Sequence, residues 1–351
     1  MGAMARANPL PSLRRVAFTT VCGLVLSGCA SDPTSSEAAL PEISFSVWRA
    51  EVALRYGYSR PEDSLRQWAF LYDCIYGGDT TQADSAYQSY VKYSTDWHIR
   101  WLTDTVLRRY PKTYDFAAAL KPLFQRWKYF FPTDTLPQVV TFVTGYDPNP
   151  ILALEYEVCH LCEKHLMIGL NYFLSDTFPY YQPDLPYYIR RRLTEPHLPV
   201  FVALELIQSK MPPKPQPCMG KEVFVPTLVH HMIWHGIRLY ALEQLLPELH
   251  DTLRLFYTQA HLDWLAENAR YAYKELLPYF QETKVSLLQP FVEEEPFTKL
   301  FGRDSPPRLG WYFGWQIVRR YVARKKVSLP ELLQLEWKDY PRVLAEAQYR
   351  P

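Results

Sequence analysis

The sequence predicts an α+β protein that is predominantly α-helical, with helices packed around a small antiparallel sheet at about residues 136–174. Apolar residues recur at helical spacing in residues 61–131 and again after residue 186. Between these regions, residues 136–146 are β-branched and apolar, and residues 152–174 alternate apolar and polar side chains, as paired strands do. The 30 prolines against 13 glycines favour many short helices that end at proline.

The elements follow in order along the chain. Alternation at residues 43–48 predicts a short opening strand, and residues 61–131 predict three or four amphipathic helices. Residues 136–146 are expected to form a buried strand, with a hairpin at residues 152–174 paired to it. The Pro-rich segment 212–217 is a loop inside the domain. Helices are expected after the hairpin at residues 197–210, 224–246, 259–277, 290–301, 308–326 and 329–347.

The N-terminus has the features of a secretory signal. Arg14 and Arg15 precede an apolar run at residues 16–28 that is too short to span a bilayer, and no later run is long enough. The run ends in Leu-Ser-Gly-Cys, which fits the lipobox of bacterial lipoproteins, where the thiol is acylated. The sequence therefore predicts a signal peptide at residues 1–28, a lipidated flexible tether at residues 29–42 that begins at Cys29, and one domain at residues 43–351.

Charge and motif content argue against several classes of function. The formal net charge is +1 at pH 7, which disfavours a nucleic-acid binder that depends on a broad basic surface. Neither the Gly-x-Ser-x-Gly of lipases nor a glycine-rich phosphate-binding loop is present. We therefore expect no nucleic-acid partner and no cofactor.

The cysteines leave several possibilities open. Once the signal peptide is removed and Cys29 takes lipid, four remain in a compartment that permits disulfides, and four cysteines allow three pairings. Two of them form Cys-His-Leu-Cys, which suits a zinc clip, a disulfide across the hairpin turn or a pair of ordinary thiols. The four are Cys74, Cys159, Cys162 and Cys218.

Two histidines four residues apart have the ligand spacing of a zinc protease helix. His231 and His235 would lie on one face, but Met232 stands where such enzymes need a glutamate to take a proton from metal-bound water. Leucines at the same helical spacing favour a helix that packs two histidines. We therefore predict no metal site and no catalytic residue here.

Exposed aromatic or basic residues are a further source of binding sites. Trp97, Trp101 and the Tyr180-Tyr181 pair could stack on glycan, although aromatic residues at helical spacing favour the core. The basic run from Arg319 to Lys326 could rest on anionic lipid, although a solvated helix end is the simpler interpretation.

The most regular helical pattern lies in residues 305–334. Gly310 and Gly314, four residues apart, leave a line without side chains, along which another backbone or a large ring can approach closely. Ser328, with Glu331 three positions later, predicts the start of a following helix. One apolar stripe with four-residue spacing consists of Leu309, Phe313, Ile317 and Tyr321.

The amino-acid sequence of this region also resembles that of a known family. Ser-Pro-x-Arg-x-Gly begins at residue 305, Gly-Trp-Gln-Ile-Val-Arg begins at residue 314, and the last residues are Gln-Tyr-Arg-Pro. Together with residues 120–132 and 136–146, these motifs resemble the gliding-motility lipoprotein GldB family of Bacteroidetes. The family-signature residues, which are also the candidate interaction site, are Ser305, Pro306, Arg308, Gly310, Gly314, Trp315, Gln316, Arg319 and Tyr321.

The resemblance implies a lipid-anchored protein of the cell envelope, at the outer membrane with the face left open, that is required for gliding motility. It implies a non-catalytic component whose partners are other gliding proteins or the type IX secretion and surface-adhesin machinery. Its contact with the membrane would be the N-terminal lipid.

A second, looser resemblance supports an alternative. The order strand, hairpin, helix, helix in residues 136–246 is similar to that of predicted zinc-dependent proteases of the zincin class, whose first helix carries His-Glu-x-x-His. Residues 201–206 at that place contain no histidine. The scaffold would then be degenerate, or the chain would be a divergent metallohydrolase of the envelope that uses His231, His235 and a carboxylate.

Overall fold

The computed structural model describes residues 40–56, 70, 74, 95–144, 159–181, 185–219 and 223–351. The predicted signal peptide at residues 1–28, Cys29 and most of the tether lie outside the described residues. So do much of the first predicted helical region and the first part of the predicted hairpin. The described part of the chain from Leu40 onwards forms one compact unit.

Helices make up most of the described chain. The first six are α1 Ala50–Tyr56, α2 Trp97–Arg109, α3 Phe116–Phe130, α4 Tyr187–Arg190, α5 Leu198–Gln208 and α6 Leu228–Leu245. The next six are α7 Asp251–Arg254, α8 Gln259–Leu276, α9 Val285–Val292, α10 Leu309–Lys325, α11 Leu329–Leu333 and α12 Tyr340–Ala347. Within the described segments, none of these helices combines the length and apolar character needed to cross a bilayer.

The strands in the described residues form one four-stranded sheet and one short antiparallel pair. They are β1 Val47–Arg49, β2 Gln138–Phe142, β3 Cys159–Cys162, β4 His165–Gly169, β5 Cys218–Met219 and β6 Val223–Phe224. The sheet has the order β1-β2-β4-β3, and β5 pairs with β6. The predicted fold class, α+β and predominantly helical around a small sheet, is confirmed.

The sheet is mixed, so the prediction of an antiparallel sheet is wrong for β2. This strand runs parallel to both neighbours, with Val139 opposite Val47 and Leu166, and β3 pairs with β4 in the antiparallel direction. Parallel pairing requires a crossover, and the chain between β1 and β2 supplies one because it passes through α1, α2 and α3. In the hairpin it is the return strand β4 that lies against β2.

Both faces of the sheet are covered. Successive side chains of a strand point to opposite faces, and Val139 therefore joins the large helical core while Val140 and Phe142 join a smaller apolar cluster with Ala50 and Met167. Burial on both sides removes the alternation of polar and apolar side chains, and the four residues Val139–Phe142 are all buried, including Thr141.

Several predicted element boundaries are wrong. The opening strand is Val47–Arg49, and the chain after Gly169 turns into a 3₁₀ helix where the return strand was expected to continue. The predicted helix at residues 290–301 is instead α9, which begins at Val285 and contains Pro290. The predicted helix at residues 329–347 is divided into α11 and α12, because Pro341 begins a new helix.

Candidate functional site

The family-signature region forms the crossing of α6 and α10, where two glycines bring the helix backbones together. A Cβ atom on Gly314 would lie 1.8 Å from the carbonyl oxygen of Met232, and one on Gly236 would lie 2.3 Å from the carbonyl of Gly314. Real Cβ atoms do not approach other atoms this closely, so both positions require glycine. The predicted close approach along Gly310 and Gly314 is therefore confirmed. At Gly314 the approaching backbone is that of α6, and at Gly310 it is that of α9, where a Cβ atom would lie 2.8 Å from the carbonyl oxygen of Phe291.

The apolar stripe of α10 is buried as predicted, and polar contacts hold the crossing in register. Leu309, Phe313 and Ile317 have no exposed surface. The indole nitrogen of Trp315 donates to Glu243 of α6 at 2.8 Å, and Arg319 forms a salt bridge with the same carboxylate at 3.4 Å. Glu243 of α6 thus binds two of the family-signature residues of α10, Trp315 and Arg319.

The loop before α10 is fixed by hydrogen bonds to its own carbonyl groups. The Ser305 hydroxyl lies 2.7 Å from the carbonyl oxygen of Gly302 and 3.0 Å from that of Thr298. Thr298 in turn donates to the carbonyl of Pro306, and Tyr257 donates to that of Pro307, both at 2.7 Å. These hydrogen bonds therefore hold the Ser-Pro-Pro segment in one conformation immediately before α10.

Arg308 ends this loop and lies completely buried in the left-handed backbone region, with φ of 51°. Its guanidinium donates to Glu294 at 2.8 Å and to the carbonyl of Leu255 at 3.1 Å. It also lies over the Trp311 ring, 4.4 Å from the centroid. A buried guanidinium needs such partners because an unpaired charge inside a protein is very costly.

Glu294 accepts from a second buried arginine as well. Arg192 donates to both carboxylate oxygens, at 2.9 Å to Oε1 and over a shorter distance to Oε2. Burial by itself opposes ionisation, but Arg308 and Arg192 hold the pKa of Glu294 at about 2. Burial lowers the pKa of Arg308 to about 10, so Arg308 and Glu294 are both charged at neutral pH. An ionised carboxylate between two fixed cations suits a structural link better than proton transfer.

Sequence reasoning missed Glu294 and Arg192. Glu294 is the middle residue of three consecutive glutamates, a pattern typical of a solvated surface. The apolar residues Phe291 and Val292 immediately before it were the available signal, because they place the acidic run next to the core.

Most of the family-signature residues are buried. Trp315 is 2 % exposed and Tyr321 is 5 % exposed, so these side chains offer almost no surface to a partner. Gln316 is half-buried and Arg319 is exposed, and for these two the interaction role stays a prediction. The buried members are Ser305, Pro306, Arg308, Gly310, Gly314, Trp315 and Tyr321.

His231 and His235 lie on α6 as predicted, and packing surrounds the second of them. The His235 ring stacks on Trp311 with 4.0 Å between centroids, and burial lowers its pKa well below the ordinary value. His231 lines a cleft of about 270 Å³ beside the ion pair of Lys214 and Glu293. Burial lowers the pKa of His231 to about 4. Across the described segments, no three His, Cys, Asp or Glu side chains are grouped to hold a metal.

The cysteines pair across the sheet. Cys74 and Cys162 form a disulfide, so the predicted alternative of a bridge between Cys159 and Cys162 across the hairpin turn is wrong. Cys159 is a buried free thiol, and burial, followed by the nearby Glu205, raises its pKa well above the ordinary value. A thiol held in its protonated form is a poor metal ligand and nucleophile.

Aromatic residues from two parts of the chain meet at the surface. Trp97 is 77 % exposed and Trp101 is 41 % exposed, so the expectation that they lie in the core is wrong; Tyr181 is buried, as that expectation requires. The rings of Trp97 and Trp101 belong to one set of ring contacts in which neighbouring centroids lie 5.0–6.1 Å apart. This set, called the aromatic patch below, consists of Trp97, His98, Trp101, Phe178 and Tyr180.

The basic end of α10 differs from this patch in its charge balance. Arg319 is paired with Glu243, and Lys325 is paired with Glu346 at 3.1 Å. Arg324 donates to the backbone carbonyl of Glu346. Much of the positive charge here is therefore used within the protein, which favours the interpretation of a solvated helix end.

Comparison with known proteins agrees with the motifs of the signature region. Residues 36–351 match a family model described as gliding motility protein GldB. No curated protein and no solved structure matches the chain. The match covers the crossing of α6 and α10, the buried arginines and the sheet, and this chain therefore belongs to the GldB family.

Proposed function

We propose that this chain is a lipid-anchored protein of the cell envelope that is required for gliding motility. It works without catalysis, as a component that supports type IX secretion and the surface adhesins through contacts with other gliding or secretion proteins. The observation that carries the proposal is the family match over residues 36–351.

The anchor is the acylated thiol of Cys29, at the end of the Leu-Ser-Gly-Cys motif. One short acyl chain binds a membrane only marginally, whereas two or three chains give lasting attachment, at about 0.8 kcal/mol per buried methylene. The tether at residues 29–42 then connects the lipid, in the outer membrane, to the domain at residues 43–351.

The absence of a catalytic role is supported by the use that the fold makes of its signature residues. Arg308 and Glu294 are committed to each other and to Arg192, and Gly314 serves the contact between two helices. His235 is enclosed by aromatic rings, and Met232 occupies the place of the glutamate that a zincin requires. We therefore do not propose the metallohydrolase alternative.

The proposal is tested by deleting the gene and complementing it with variants. The wild-type chain should restore colony spreading and secretion of a type IX cargo, and Cys29→Ala should restore neither while shifting the chain from membranes to the soluble fraction. Cys159→Ala is the matched control, since it removes a thiol that neither takes lipid nor pairs. Normal spreading of the deletion strain, or full function of Cys29→Ala, would contradict the proposal.

Partner contacts are tested separately by crosslinking in living cells, followed by purification of the chain. Gliding or secretion components should be recovered with the wild-type chain. Arg319→Ala, which changes an exposed family-signature residue, should reduce that recovery, and Arg320→Ala on the adjacent exposed position should not. Recovery of no such component would count against a role that depends on protein contacts.

A further inference from the structure

The aromatic patch lies on one face of α2. Ile99, Leu102 and Val106 of this helix point into the core, with at most 6 % of each exposed. Trp97 and Trp101 lie on the outward face, one helical turn apart, and much of the surface of each ring is exposed to solvent. An exposed cluster of large aromatic side chains is unusual for a protein surface and indicates a binding site.

Cations share this outward face. Arg100 and Arg108 are both exposed, and in the described part of the chain neither forms a salt bridge. The acidic residues of the helix are already used. Asp96 caps the N-terminus by accepting from the backbone of residues 98 and 99, and Asp104 is paired with Arg55. Arg108 donates to the Thr105 hydroxyl of the same helix at 2.7 Å. The face therefore offers indole rings and guanidinium groups that form no salt bridge within the described residues, and both carboxylates of the helix are already engaged.

This combination fits the headgroup region of a bilayer. Indole rings prefer the boundary between the headgroups and the acyl chains, where one edge is wet and the rest is apolar. Guanidinium groups bind phosphate in two-point geometry, and cations near an anionic leaflet are attracted to it. A glycan-binding site would instead need hydrogen-bond acceptors beside the rings. The two nearby carboxylates, Asp96 and Asp104, are already engaged by the helix backbone and by Arg55.

We propose that the outward face of α2, consisting of the aromatic patch with Arg100 and Arg108, docks on a lipid surface that contains anionic phospholipid. The inference rests on the proposed function, because the lipid at Cys29 brings the domain to the membrane. Ten residues lie between Cys29 and Leu40, so this part of the chain reaches about 40 Å when fully extended. Such a tether converts a weak surface contact into an intramolecular one, so modest affinity suffices.

The test uses the full chain, purified from bacterial membranes and reconstituted into vesicles of phosphatidylethanolamine and phosphatidylglycerol. Phospholipids brominated at the headgroup end of the acyl chain quench nearby tryptophans. They should quench the wild-type chain and leave Trp97→Ala combined with Trp101→Ala largely unquenched. Arg100→Gln combined with Arg108→Gln keeps every tryptophan, and its quenching should fall several-fold, since one cation is worth about fivefold in association.

The matched control is Arg320→Gln combined with Lys326→Gln, which removes two exposed cations from the end of α10. Its quenching should equal that of the wild-type chain, and an equal fall would overturn the proposal in favour of general charge attraction. No quenching of the wild-type chain would also overturn it. The same holds if the chain sediments with peptidoglycan through Trp97 while remaining unquenched.

Mass spectrometry of the N-terminal peptide separates this inference from the proposed function. A chain without acyl groups would refute the anchor. Quenching of that same unacylated chain by added vesicles would still support docking through α2, although at higher lipid concentration.

Discussion

Gly314→Ala is expected to destabilise the protein although alanine is the better helix former. In an exposed helix this change would stabilise by about 1 kcal/mol. Here the new Cβ would lie 1.8 Å from the carbonyl oxygen of Met232, whereas ordinary contact begins near 3.4 Å. The backbones of α6 and α10 must therefore separate by about 1.5 Å, at the upper end of the usual cost of overpacking, about 3 kcal/mol or more. We expect a net loss of about 2 kcal/mol.

Equilibrium unfolding in urea measures this loss, with Arg320→Ala on the exposed face of the same helix as the control. Gly236→Ala should cost a similar amount because its Cβ would meet the carbonyl of Gly314 at 2.3 Å. The double variant should lose less than the sum, since one separation of the helices relieves both contacts. Equal or greater stability of Gly314→Ala would refute the reasoning, because helix propensity would then outweigh the close contact.

Four further predictions concern buried charge and the disulfide. Arg308→Met should lose about 3 kcal/mol in urea unfolding, because Glu294 loses one of its two cations and the buried carbonyl of Leu255 loses its donor. Burial, followed by Arg192 and Arg191, lowers the pKa of His197 to about 4, so stability should fall as pH drops from 6.5 because the unfolded chain binds the proton first. The pKa of Glu294 is lowered from 4.5 to about 2, so its stabilisation is complete above pH 4.5 and is lost towards pH 2. The stability gap between the wild-type chain and Glu294→Gln should therefore narrow over that range, and a constant gap would contradict the assignment. Cys162→Ser should cost up to about 4 kcal/mol because it opens a loop of 88 residues, and its stability should not change when reductant is added. Cys159→Ala keeps the bridge and should lose stability in reductant as the wild-type chain does.

Local patterns in the sequence were sufficient for the central helices. The four-residue spacing from Leu309 to Tyr321 and the line of Gly310 and Gly314 both describe contacts within one helix face, and the structure confirms them. The Ser328 capping box at the start of α11 is also local, and it is present. Such features depend on residues that are neighbours in the chain, so periodicity predicts them well.

Pairings between distant segments could not be predicted in this way. The parallel contact of Val47 with Val139 joins residues far apart in the chain, and alternation alone does not say which strand lies beside which. For α2, spacing predicted the helix correctly, but Trp97 and Trp101 face away from the buried stripe that contains Leu102. The burial of Arg308 could not be predicted from the local sequence either, because the carboxylate of Glu294 that neutralises it comes from another segment.

If the chain is held by its N-terminus, as proposed above, the bridge between Cys74 and Cys162 has a mechanical consequence. Tension transmitted through Leu40 would reach β1 first, a three-residue edge strand with a single neighbour in the sheet. If that strand were pulled free, extraction of the chain would stop at Cys74, which is covalently joined to the far edge of the same sheet. The segment between the two cysteines, which contains α2 and α3, would bear no tension while the bond holds, so pulling from the N-terminus would leave it folded.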